Sequence, residues 1–174
     1  MKHFFKVHGD IIFINVIFLI LGIIIYDCFD KKVEILAAFL ATGISLSVSY
    51  RQYKIQDDQI FKELFISFNS KYDKEFNDLL NDVVLNAKQP ENYTLSDLEC
   101  KKIVDYINFC SEEYLWFHKD RIPLNVWKAW QEGMIYFLNC KPINKIFLEE
   151  CLQEGSYYGL FQHLRGKVNN WNRK

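Results

Sequence analysis

The sequence is poor in the residues that break helices, with seven Gly and three Pro in 174 residues. A fold of many tight turns is therefore excluded, and no alternating strand pattern of useful length or internal repeat occurs. No charge excess exists either: the formal net charge of −1 gives no global pull toward nucleic acid. The five cysteines form no C-x-x-C pair and their count is odd, so a disulfide framework is not expected and a reducing compartment fits better. His3, His8, His118 and His163 make no metal spacing with them. There is no G-x-G-x-x-G, no P-loop and no nucleophile elbow. No cofactor, metal or catalytic residue is assigned, and the chain is read as a non-enzyme.

What the sequence does have is apolar and aromatic surface: 50% of residues are hydrophobic and 17% aromatic. Residues 11–26 carry one amide, Asn15, and no charge, while 33–50 carry one acid, Glu34, at the outer edge. At about 1.5 Å per residue these runs reach roughly 24 and 27 Å as helices. That is slightly short of a hydrocarbon core of about 30 Å, a gap that snorkelling Lys6, Lys32 and Arg51 can close. A cleaved signal peptide fits less well, because "YDCFD" offers no small-x-small site and a second apolar run follows at once. A buried hairpin of soluble core helices fits less well too, because both runs are apolar all round.

The short connection "DCFDKK" makes the two spans an antiparallel hairpin with both termini on one side. Lys2, Lys6, Arg51 and Lys54 flank that side, against Lys31 and Lys32 on the other, so the termini are expected in the cytoplasm. Within the second span, Ala37, Ala41, Ser45 and Ser49 recur every fourth residue, with Thr42 at the edge. Such a stripe lets helix backbones approach closely. It either seats the first helix of the same chain or meets other copies. Asn15 is the second polar group expected on a packing or pore face.

Beyond Arg51 the helical period continues through Phe61, Leu64, Phe65, Phe68, Tyr72, Phe76, Leu79, Leu80 and Val83. It predicts a stalk helix to about residue 86, stopped near Pro90. Thr94 or Ser96 caps the next helix, Pro123 opens another, and two more follow over 143–153 and 157–167. The expected fold is all-α: a transmembrane hairpin within residues 1–50, then a cytosolic helical domain over 51–174 that includes the stalk.

Chemistry is sparse there. Glu112, Glu113 and His118 can be drawn as an acid–base cluster, but helical spacing alone produces such sets. Trp127 and Trp130 read as core. The end of the chain is basic, and Arg165, Lys167, Trp171, Arg173 and Lys174 form the candidate nucleic-acid contact, against an ordinary solvated terminus.

The hairpin followed by "FKELFISFNSKYDKEFNDLLNDV" and "IVDYINFCSEEYLWFHKDRIPLNVWKAWQEGMIYF" resembles a group of small bacterial membrane proteins found beside anti-phage defence genes, including the transmembrane effectors of retrons. The resemblance spans most of residues 10–148. It rests on Phe68-Asn69 with Tyr72, Asn108-Phe109 with Glu112-Glu113, and Trp127 with Trp130. None of these is catalytic. The resemblance implies an abortive-infection effector of the inner membrane. A reverse transcriptase with its RNA–DNA product would hold it inactive, and phage infection would release it to disrupt the inner membrane. Apart from the resemblance, one two-helix hairpin is too thin to enclose a water path, so a homo-oligomer is expected in the active state. The competing expectation is an inner-membrane anchor or sensor that recruits a partner, such as a prophage exclusion protein.

Overall fold

The computed structural model describes residues 2–28, 32–88, 93–153 and 155–168, with side chains from Gly9 onward. Among the described residues it is all helix, with no strand. The elements are α1 (Lys2–Cys28), α2 (Val33–Glu75), α3 (Asn77–Asn86), α4 (Asp97–His118), α5 (Leu124–Leu138), α6 (Lys141–Glu150), a 3-10 turn (Tyr157–Gly159) and α7 (Leu160–Leu164). The chain divides into two units, Met1–Ile60 and Phe61–Lys174, and α2 contributes to both.

In the first unit α1 and α2 are the long apolar helices. Gly9–Cys28 has a mean hydropathy of 2.6 and the best window of α2 a value of 1.6, so both are long and apolar enough to cross a membrane. They pair in antiparallel sense, since Asp10 meets Lys54, Asn15 meets Ser47, and Phe18 meets Phe39.

The second unit is built around α4, which packs against α5, α6, the 3-10 turn and α7. Its start is fixed by Ser96 rather than Thr94. The Ser96 hydroxyl accepts from the Glu99 N–H, and the Glu99 carboxylate accepts from the Ser96 N–H at 2.7 Å. This reciprocal box satisfies two donors that a helix start would otherwise leave bare. Ile103, Tyr106, Ile107 and Cys110 form the buried stripe of α4, and Trp127, Met134 and Leu138 that of α5.

The expected stalk to about residue 86 is interrupted. α2 ends at Glu75, Phe76 leaves helical geometry at φ −124° and ψ −34°, and α3 begins at Asn77. The cause is packing: the Phe76 ring is 1% exposed and lies 5.2 Å from Phe109 and 5.6 Å from Tyr106. Turning there also buries Leu80 and Val83 of α3. The expected last helix over 157–167 is shorter as well. Tyr157, Tyr158 and Gly159 all have left-handed backbones, at φ 67°, 52° and 87°, and α7 ends at Leu164. Left-handed tyrosines are disfavoured sterically. Burial of Tyr157 against Phe161, with ring centroids 4.4 Å apart, and its hydroxyl bond to Glu150 hold the turn.

These packing and capping roles differ in weight. Ser96→Ala should cost about 1 kcal/mol through loss of the cap. Leu80→Ala should cost roughly 2–5 kcal/mol because it empties a fully buried site. Denaturant unfolding of the second unit's signal in the full chain would measure both, and equal losses would contradict this division.

Candidate functional site: the hairpin interface and its outer face

The contact between α1 and α2 is made by large rings lying over glycines. A Cβ added at Gly43 would sit 2.9 Å from the Phe18 Cβ, and one at Gly22 would sit 3.0 Å from the Phe39 Cβ. In each case the obstructing atom is a Cβ fixed to its own backbone, so relief requires the helices to part. Ser47 is the other small residue buried in α2, one turn from Gly43. Gly43-x-x-x-Ser47 is therefore the small-residue face that seats α1.

Polar groups fasten the same seam. The Asn15 Nδ2 donates to Ser47 Oγ at 2.6 Å and to the Ile11 carbonyl at 2.8 Å. At the end of the hairpin that holds Asp10, the Asp10 carboxylate accepts from Lys54 Nζ at 2.7 Å and from the Tyr50 hydroxyl at 3.0 Å. Both charges are more than half exposed, so this pair fixes register more than it stabilises.

The expected small stripe lies elsewhere. Ala37, Ala41, Ser45 and Ser49 are all exposed, as is Thr42, whose hydroxyl donates to the Ala38 carbonyl at 2.8 Å. Ala41 and Gly43 are two residues apart, which is about 200° around a helix. The stripe is therefore turned away from α1, and of the two alternatives for it the intrachain one is removed. Asn15 is separated from the stripe and occupied within the seam.

The other sequence candidates are dispersed. Glu112 lies 3.7 Å from Lys71, His118 stacks on the Tyr114 ring, and Glu113 is buried beneath. No hydrogen bond joins the three. Lys167 Nζ is 3.3 Å from Gln131 Oε1 and 3.2 Å from His163 Nε2, within the helical unit. Burial, then the Lys167 charge, lowers the His163 pKa. Arg165 is exposed, whereas Trp171, Arg173 and Lys174 lie outside the described residues. No cluster of His, Cys, Asp or Glu able to hold a metal occurs among the described residues.

Comparison with protein-family models, curated proteins and solved structures finds no match to this chain.

The two glycines and Ser47 were the residues that sequence reasoning passed over. Their signal was present, because Gly22 and Gly43 are the only glycines of the two apolar runs. Gly43→Leu should open the seam, whereas Ala41→Leu should leave it closed. Hydrogen exchange across residues 11–26 of the full chain in detergent should be several-fold faster in the first variant. Equal exchange in the two variants would contradict the assignment of faces.

Proposed function

We propose that this chain is a membrane-disrupting effector of a bacterial anti-phage system of the abortive-infection, retron type. In this reading the hairpin crosses the inner membrane twice with both termini in the cytoplasm. Partner components, a reverse transcriptase with its RNA–DNA product, hold the protein inactive until phage infection. Released copies assemble through the outer faces of their hairpins and permeabilise the membrane, without a catalytic residue.

One observation carries the proposal most directly: the Ala37–Ala41–Ser45–Ser49 stripe is left exposed by the hairpin's own packing. A helix that met only lipid would have no use for a second small face. Small residues at spacing four let backbones of neighbouring copies approach, and hydroxyls bond across such contacts at about 0.6 kcal/mol each on average. Close approach therefore outweighs the hydroxyls, and bulk at Ala41 should do more harm than loss of one Ser. A single two-helix hairpin is too thin to enclose a water path, because its lipid-facing surface must stay apolar. Several copies are required. Restraint by a partner to one active copy in a thousand needs a differential affinity of only about 4 kcal/mol.

Expression of the full chain without partners should depolarise cells, as read by a membrane-potential dye. Ala41→Leu should diminish the effect and deletion of residues 11–50 should abolish it. Depolarisation that survives the deletion, or polarised, growing cells that hold inserted full-length protein, would replace this reading with that of an anchor or sensor.

The topology is tested separately. A reporter active only in the cytoplasm should be active when fused after Lys174, and activity only with a periplasmic reporter would reverse the orientation.

A further inference from the structure

Within the helical unit, a half-open cleft of about 230 Å³ lies among the C-terminal part of α2, α4 and α5. Aromatic rings dominate its wall: Tyr72, Tyr106, Phe109, Trp130 and Phe137. The one ionisable carboxyl among its lining residues is that of Glu113, which is only 5% exposed. Among the described residues nothing hydrogen-bonds or ion-pairs with this carboxyl. Its neighbour Glu112 has Lys71, 3.7 Å away, and Lys71 also lies over the Phe109 ring, 5.5 Å from its centroid. The nearby cation is thus engaged by the exposed acid, and the buried acid is left without one.

A second feature is the small residue at the border of the cleft. Gly133 borders it from the interior of α5, and a Cβ there would meet no atom within 4 Å. Glycine disfavours a helix interior relative to alanine. Packing does not demand it at this position, and a larger side chain there would enter open space at the border of the cleft.

We propose that this cleft is a binding site for a soluble alkylammonium ion, seated among the aromatic rings with the Glu113 carboxylate as its counter-ion. Ring faces attract a cation through their quadrupole, and quaternary ammonium groups are commonly recognised by such aromatic surroundings. The cleft is smaller than the roughly 300–1,000 Å³ of sites for drug-sized ligands, so it suits a small head group. The groups facing Glu113 are Tyr72 from α2 and Tyr106, Cys110 and Glu112 from α4. None is a cation, and α5 adds no charged side chain to the lining. Burial, and secondarily Glu112, raises the Glu113 pKa well above the carboxylate range. Loss of the Glu113 proton is therefore disfavoured in the empty site, and a cation seated beside the carboxylate favours it. Affinity for the cation consequently increases as pH rises.

The test uses the full chain in a maltoside detergent, which carries no ammonium group, with choline as the probe and calorimetry as the readout. Its neutral isostere, 3,3-dimethylbutan-1-ol, has the same shape without the charge. Choline should bind saturably and the isostere at least about tenfold more weakly. Glu113→Gln should weaken choline by about tenfold or more and remove the pH dependence. Gly133→Leu should abolish binding by filling the cleft while preserving the helical signal. Glu112→Gln should retain binding within a few-fold. Absence of choline binding, equal binding of choline and the isostere, or unchanged binding in Gly133→Leu would overturn the proposal. Should Glu113→Gln fail to fold, the choline and isostere pair on the unaltered chain decides alone.

Discussion

The hairpin depends on two reciprocal contacts, Phe18 over Gly43 and Phe39 over Gly22. In a lipid environment no hydrophobic force distinguishes a neighbouring helix from an acyl chain, so close fit decides which faces meet. Each ring needs a missing side chain opposite it, and the sequence offers one in each run. Once these contacts are made the rotation of both helices is fixed. Asn15 is brought to Ser47, and Asp10 to Tyr50 and Lys54. The same rotation turns Ala37, Ala41, Ser45 and Ser49 outward.

The helical unit follows a different logic, that of burial from water. Phe68, Phe76, Tyr106 and Phe109 form a run of ring contacts with centroids about 5–6 Å apart. Offset and edge contacts at such distances are favourable beyond the area they bury. Satisfying them requires the chain to leave helical geometry at Phe76. Glu113 in the same neighbourhood is a buried carboxyl with no hydrogen-bond or ionic partner among the described residues, an exception to the rule that buried polar groups are paired. Exceptions of this kind concentrate at sites that receive something.

Much of this was legible in the sequence because helices announce themselves by period and caps. The apolar runs, the Ser96–Glu99 box and the stripe of α4 were all readable from spacing. The break at Phe76 was not, because residues on both sides keep the same three-and-four spacing and only tertiary ring contacts force the turn. The 3-10 turn at Tyr157–Gly159 was hidden similarly: nothing in "SYYG" requires left-handed tyrosines until Phe161 and Glu150 are placed beside them. In the hairpin the sequence carried two small faces on α2, and periodicity cannot tell which one a partner helix takes. The Ala/Ser stripe is the longer, but the Gly43–Ser47 face seats α1 because only glycine admits Phe18. Glu113 stood beside Glu112 as one of an ordinary acidic pair, and only the fold separates the exposed acid from the buried one.

The central claim is that the outward stripe of α2 meets a second copy of the chain. Disulfide trapping in membranes tests it most directly, using full-length protein with Cys28 replaced by Ser and one new cysteine in α2. Ser45→Cys should yield covalent dimers on mild oxidation. Leu46→Cys, also exposed but about 100° around the helix, should yield few. Equal yields at the two positions, or none at Ser45, would contradict the account.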